Sequence, residues 1–309
     1  MLNFVKTNPI VKIESKTISS LKRSRIDRVL NRYKITLFHE QDPNEVVPSF
    51  QEILNKINYS VLKLPNKPWE INYTYNNSSG TTRVHLHNEY LPKKPTLIFH
   101  HGLASHNQLH LKVFLNEDFV NKFNIFSIRA SNHESTAKVL NSCINNFTNL
   151  AATTCASVLA ADEIVDFHKN NSSKPVIMVG LSLGGAVVSL HYFFFNAADV
   201  YFPILAYPNF GKIMIRKSHK GFIHKYEKMA KNKSLFDCFD IPKELKNRAD
   251  KNKAFPILGK QDEFINFQDA SRFWKGYKLE TFNVGHYTIV FKINKLRRYI
   301  LSNFAKINK

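Results

Sequence analysis

Residues 174–195 read KPVIMVGLSLGGAVVSLHYFFF, an apolar run followed by a glycine-flanked serine and then a stretch that suits a helix. Val176-Ile177-Met178-Val179 is apolar at every position, the pattern of a strand covered on both faces in a parallel sheet. Gly180, Ser182 and Gly184 then take the spacing Gly-x-Ser-x-Gly, with Gly185 next. A strand that turns straight into a helix forces its central residue into a strained backbone, and the flanking positions must lack Cβ for the chain to pass itself. The lone hydroxyl, Ser182, is therefore expected at the exposed tip of the turn.

The rest of the chain repeats the alternation. From Ile71, "INYTY" and "TTRVHLH" alternate as strands, with Asn-Asn-Ser-Ser-Gly between them as a hairpin turn. Then come "TLIFHHG", "FNIFSIR", a helical stretch around "NLAATTCASVLAADEIVDFHKN", the serine strand, "VYFPILAY", "AFPILGK" and "KLETFNVGH". Apolar strands interleaved with helices predict an α/β fold with a mainly parallel sheet. In such sheets function gathers at the carboxyl ends of the strands. The residues found there are His100-His101-Gly102-Leu103 after "TLIF", Ser182 in its glycines, Gly259-Lys260-Gln261-Asp262 after "FPIL", and Gly285-His286 after "ETFNV". A nucleophile, an acid and an imidazole thus follow one another in that order.

These elements resemble the α/β-hydrolase superfamily of serine hydrolases over roughly residues 71–300: the elbow at Ser182, the His101-Gly102 turn, the Gly-x-x-Asp at Asp262 and the Gly-His at His286. The resemblance implies a Ser182, Asp262 and His286 catalytic triad. His286 takes the serine proton and returns it to the leaving group, while Asp262 holds the imidazole tautomer. Backbone N–H groups of Leu183 and Leu103 form the oxyanion hole, and their side chains matter less than their amides. His101, Gly102 and His106 are candidates for the pocket wall, and His100 also flanks the turn. Asp269, on a helix-like stretch, and Glu263, expected to point elsewhere, are weaker candidates for the acid; Asp199 lies at a strand entry. His168 and His191 read as ordinary helix residues. After "FNIFSIR" the chain carries Arg129-Ala130-Ser131-Asn132-His133, where many relatives place an Asp and a Gly-His-Gly-like turn.

The implied activity is hydrolysis of carboxylic esters through an acyl-Ser182 intermediate, with a small-molecule acyl ester as substrate and no metal or cofactor. Thioesterase, amidase or acyltransferase chemistry would leave the same signature, and a non-catalytic scaffold on the same fold is a further alternative. Residues 207–254, rich in Lys and Arg, fall where a helical lid-like insertion occurs in the superfamily, with Phe210, Met214, Ile215, Phe222, Ile223, Tyr226, Met229 and Phe236 as its apolar underside over Ser182.

Composition bounds the remainder. The 309 residues are 43% hydrophobic and suit one large domain. Residues 1–70 read as an N-terminal extension and 71–309 as the hydrolase domain. In the extension, Ile26, Val29, Leu30 and Tyr33 form one helix face against Lys22, Arg23, Arg25, Arg28 and Arg32. The formal net charge is +20. Heavy use of Lys, Asn, Ile and Phe, as in an AT-rich coding sequence, accounts for it, and no zinc-finger, RNP-like or phosphate-loop pattern points to specific nucleic-acid recognition. Weak association with an anionic membrane surface is the alternative reading of the charge. Three unpaired cysteines, with neither a signal-peptide core nor a membrane span, lead to the expectation of a cytoplasmic protein.

Overall fold

The computed structural model describes residues 36–64, 67–103, 111 and 114–307. The basic helix expected at 22–33 and His106 lie outside the described residues. The described residues build one nine-stranded sheet in the order β1-β2-β3-β5-β4-β6-β7-β8-β9. Its strands are β1 (Asn58–Leu62), β2 (Trp69–Tyr75), β3 (Ser78–Leu86), β4 (Thr96–His100), β5 (Asn124–Arg129), β6 (Val176–Leu181), β7 (Val200–Ile204), β8 (Ile257–Gly259) and β9 (Glu280–Phe282). The first three strands and the β3/β5 pair are antiparallel, and every pairing from β5 through β4 to β9 is parallel.

Strands β4 and β7 are buried at every residue, and β5 and β6 at all but their last. Alternate residues feed two cores. Leu97, Phe99, Ile177 and Val179 point to one face, where they meet Phe119 of helix α2 (Glu117–Lys122) and Leu296, Ile300 and Phe304 of helix α6 (Ile293–Ile307). Ile98, Val176 and Met178 point to the other, under helices α3 (Phe147–Asn171) and α4 (Leu183–Phe194). Helix α3 starts where the Asn146 side chain caps the Asn149 N–H, and its alanines at 151, 152, 156, 160 and 161 let it lie close on the sheet. Strand β2 has the one-sided pattern of an antiparallel edge region, with Ile71, Tyr73 and Tyr75 inward and Asn72 and Thr74 outward.

The β2–β3 turn is shorter than the sequence reading. Tyr75 pairs with Ser78, so only Asn76 and Asn77 lie in the loop, and Asn76 supplies the positive φ of 48° that a two-residue hairpin needs. Ser78, Ser79 and Gly80 belong to β3. Residues 36–64 are built into the same unit: Phe38 and Phe50, the latter opening helix α1 (Phe50–Lys56), are fully buried in the core, and β1 extends the sheet. Among the described residues, no helix is long and apolar enough to cross a membrane.

Between β4 and β6 the strand order reverses: β5 lies on one side of β4 and the chain then crosses to β6 on the other. The carboxyl ends of these two strands, in register at His100 and Gly180, frame the crevice that this topology opens.

Candidate active site

Ser182 sits at that crevice, between the end of β6 and the start of α4, with φ 56° and ψ −113°. Non-glycine residues rarely adopt such a conformation, which persists only where surroundings enforce it. The enforcement is visible. The Ser182 N–H donates to Ile204 O at 2.9 Å, and its own carbonyl accepts from Ala186 N at 3.0 Å. A Cβ on Gly180 would lie 2.1 Å from Gly184 O, and one on Gly184 would lie 2.2 Å from His100 O. Both positions must be glycine for the elbow to close on itself and on the end of β4.

Asp262 and His286 arrive from the next two parallel strands. Pairing of β8 with β9 runs past both strands, with Lys260 N donating to Phe282 O and Gln261 N to Val284 O, and this sets the two loops side by side. The Gly285 N–H donates to Thr288 Oγ1 at 2.8 Å and fixes the turn that carries His286. The result is one hydrogen-bonded line. His286 Nδ1 donates to Asp262 Oδ2 at 2.8 Å, and His286 Nε2 lies 2.9 Å from Ser182 Oγ. Asp262 Oδ1 accepts two backbone N–H groups, from Phe264 at 2.9 Å and Ile265 at 2.8 Å, so the carboxylate is held from both sides.

Exposure is graded along the line. The Asp262 side chain is 1% exposed and that of His286 12%, while Ser182 is half-buried. Burial of His286 disfavours its charged form, but the charge and hydrogen bond of Asp262, with the charge of Glu263, outweigh that and raise its pKa above the ordinary value. The imidazole is thus a stronger base than a free histidine. Phe264 and Tyr287 wall the ring edge-on at centroid distances of 5.1 and 5.7 Å.

Opposite, the turn after β4 presents its backbone. His101 Nε2 accepts the Ala130 N–H at 3.1 Å, which leaves Nδ1 as the donor to Gly102 O at 2.6 Å. His101 is therefore neutral and pins the turn to the end of β5. His100 Nδ1 donates to His101 O at 2.9 Å, and burial pushes its pKa down to about 4. Leu103 follows in this turn, and Leu183 is the first residue of α4, where a backbone N–H has no partner within the helix. Gly184, packed against the His100 and His101 carbonyls, brings the two segments together.

The other sequence candidates lie elsewhere. Asp269 is in the first turn of helix α5 (Phe267–Phe273), close to Arg272. Asp199 accepts the Val176 N–H at the strands' amino ends. His168 is held by Tyr90, Thr96 and the Lys174 carbonyl, and His191 by Asp162 and Tyr201. Glu263 requires a correction: it does not point elsewhere, because its Oε2 accepts the backbone N–H of His286 at 3.2 Å. Only its place beside Asp262 hinted at this. The three cysteines are buried and free, their thiol pKa values raised by burial. Among the described residues, no cluster of His, Cys, Asp or Glu could hold a metal ion.

Residues 207–254 form short helices and turns. Phe210, Ile215, Ile223 and Met229 are buried in the main core, and Met214, Tyr226 and Phe236 pack against it. The segment is strapped to the chain's early residues: Leu37 N donates to Phe222 O, His224 N to Leu37 O and Phe50 N to Cys238 O. It reaches the acid loop through Arg216 Nη1, which donates to Phe264 O at 3.4 Å, and through the His219 ring, 6.0 Å from that of Phe264.

No family model matches this chain, and no curated protein does. Solved structures do. An acetyl xylan esterase from Paenibacillus sp. R4 aligns over 82% of this chain and 92% of its own, at 12% identity and a TM-score of 0.52. Est1E from Butyrivibrio proteoclasticus aligns over 76% of this chain and 99% of its own, at 16% identity and a TM-score of 0.49. A thioesterase domain from the curacin biosynthetic pathway aligns over 80% and 99%, at 8% identity and a TM-score of 0.44.

Proposed function

We propose that this chain, which has the α/β-hydrolase fold, is a serine hydrolase that cleaves carboxylic esters of small acyl substrates through an acyl-Ser182 intermediate. The observation that carries this reading is the Ser182–His286–Asp262 line, with its serine on a strained elbow at the switch point of the sheet. A serine hydroxyl is a weak nucleophile at neutral pH and needs a base in hydrogen-bond reach. His286 Nε2 is placed to accept the Oγ proton as Oγ bonds to the acyl carbon. The protonated ring is then matched by Asp262, and the proton passes to the departing alkoxide. Water repeats the sequence on the acyl-enzyme. The oxyanion falls between Leu183 N–H, at the positive end of α4, and Leu103 N–H on the turn that His101 pins. Residues 207–254 serve here as a wall of the acyl pocket, fastened to the acid loop by Arg216.

The fold alone does not choose among ester, thioester and amide. Ester hydrolysis is the activity named for the Paenibacillus protein, and it is the reading adopted here. The test is hydrolysis of a panel of p-nitrophenyl esters, acyl thioesters and anilides by the wild-type chain and by Ser182→Ala. Esters should turn over fastest, and the variant should lose kcat by about 10⁶ while keeping its fold. Faster thioester or anilide turnover would move the reading to that chemistry, and a folded Ser182→Ala protein with most of its activity would end it.

A further inference from the structure

The loop after β8 carries two carboxylates in succession, and both reach the same histidine. Asp262 takes the ring Nδ1–H, and Glu263 takes the backbone N–H of His286 through Oε2. The other oxygen, Glu263 Oε1, is buried and has no hydrogen-bond partner among the described residues. A carboxylate oxygen taken from water and left unpartnered is costly, and the cost falls when a positive charge appears nearby. The proposed reaction supplies that charge. As Ser182 Oγ bonds to the acyl carbon, its proton moves to His286 Nε2 and leaves an imidazolium beside two carboxylates.

We propose that Glu263 is a positioning residue for His286, anchoring the histidine's backbone through Oε2 while its negative charge stabilises the imidazolium together with Asp262. The inference rests on the hydrolase reading of the site. Glu263 contributes through His286 and does not touch the substrate. The groups around the ring fit this division. Asp262 and Glu263 come from the loop after β8, Ser182 from the elbow, and Phe264 and Tyr287 supply aromatic walls. The Tyr287 phenol is kept neutral, pushed up to about 12 by burial and by the Glu263 and Asp262 charges. From the insertion, Arg216 bonds the backbone oxygen of Phe264 and His219 faces the Phe264 ring, so these two groups also border the acid loop. The charge of Glu263 is among the causes that hold the His286 pKa up, after that of Asp262.

Two variants separate anchor from charge. Glu263→Gln keeps an oxygen for the backbone bond and removes the charge, whereas Glu263→Ala removes both. The first readout needs no turnover: nitrogen-detected NMR titration of His286 in a Ser182→Ala background, with and without Glu263→Gln. The His286 pKa should fall by about half a unit or more in the Gln variant, since an opposite charge a few ångströms away is removed. The second readout is kinetic. With p-nitrophenyl acetate, Glu263→Gln should lower kcat about three- to tenfold with KM within about twofold, and move the acid limb of kcat/KM down by the same pH increment. Glu263→Ala should lose more in kcat. A Gln variant with an unchanged His286 titration and an unchanged pH profile would overturn the proposal and reduce Glu263 to a backbone cap. If the wild-type chain hydrolyses no acyl substrate yet its His286 pKa falls on Glu263→Gln, the hydrolase reading fails while the electrostatic link between Glu263 and His286 stands.

Discussion

Asp262→Asn is the perturbation whose outcome the structure specifies most fully. Asp262 Oδ1 accepts two backbone N–H groups and Oδ2 accepts one ring N–H. An asparagine must place its oxygen on one side and its NH2 on the other. With the oxygen toward Phe264 and Ile265, both backbone bonds survive; flipping it to serve His286 would lose two bonds and set NH2 against two N–H donors. At ~1 kcal/mol per bond the unflipped form is favoured by about 2–3 kcal/mol, or roughly 30- to 150-fold. The amide NH2 then faces His286 Nδ1, which must accept, so the ring proton moves to Nε2. That nitrogen can no longer take the Ser182 proton. The expected result is a loss in kcat of about 10⁴ on p-nitrophenyl acetate with KM little changed, while Asp269→Asn stays near wild type. The assay is steady-state kinetics on both variants, with circular dichroism to show that each is folded. A loss below about tenfold in Asp262→Asn, or a larger loss in Asp269→Asn, would refute the assignment of the acid.

The pKa of His286 is raised, so its neutral form, the one able to act as base, is lost at higher pH than for a free histidine. A kcat/KM profile should therefore show an acid limb with a midpoint above 6.5. The same shift contributes stability that is present below the ordinary histidine value and disappears as pH rises through the folded value, which a pH series of thermal melts on wild type and His286→Ala would detect. Gly180→Ala places a methyl where Gly184 O already stands, and neither side is a flexible side chain. It should cost about 1–3 kcal/mol or more in a denaturant melt and abolish the proposed ester hydrolysis. The basic surface should give at most weak binding to anionic vesicles at physiological salt, read by sedimentation at two salt concentrations. Tight, salt-sensitive binding to acidic vesicles alone would make a lipid surface part of the function.

The parallel sheet and the meeting of Ser182, Asp262 and His286 were legible because each depends on local pattern. Strands buried on both faces must be apolar throughout, and the residues that follow them are confined to one edge of the sheet. Glycines at 180 and 184 mark the elbow because nothing larger fits within the elbow itself at 180, or between it and the end of β4 at 184. Other features had no such signature. Strand β1 is mostly exposed and does not alternate cleanly, so "NYSVL" gives no period to read. The burial of Phe38 and Phe50 depends on contacts with Phe147, Phe194 and Phe239, far away in sequence. The hairpin turn is shorter than its sequence suggests because Asn76 reaches positive φ without help from Gly80. The direction of the Glu263 side chain is not legible because in an irregular loop it follows from the β8–β9 register, which composition does not encode. The apolar residues of 207–254, expected as the underside of a lid over Ser182, are in large part buried in the main core, and the segment is tied by backbone bonds to residues between Leu37 and Phe50.

If Ser182 is an activated nucleophile, the folded wild-type chain reacts with a fluorophosphonate probe, and mass spectrometry of the labelled peptide locates the adduct. One adduct per chain is expected on Ser182, none in Ser182→Ala, and greatly slowed labelling in His286→Ala. A folded wild-type chain that does not react, or a Ser182→Ala variant that labels as fast as wild type, would contradict it.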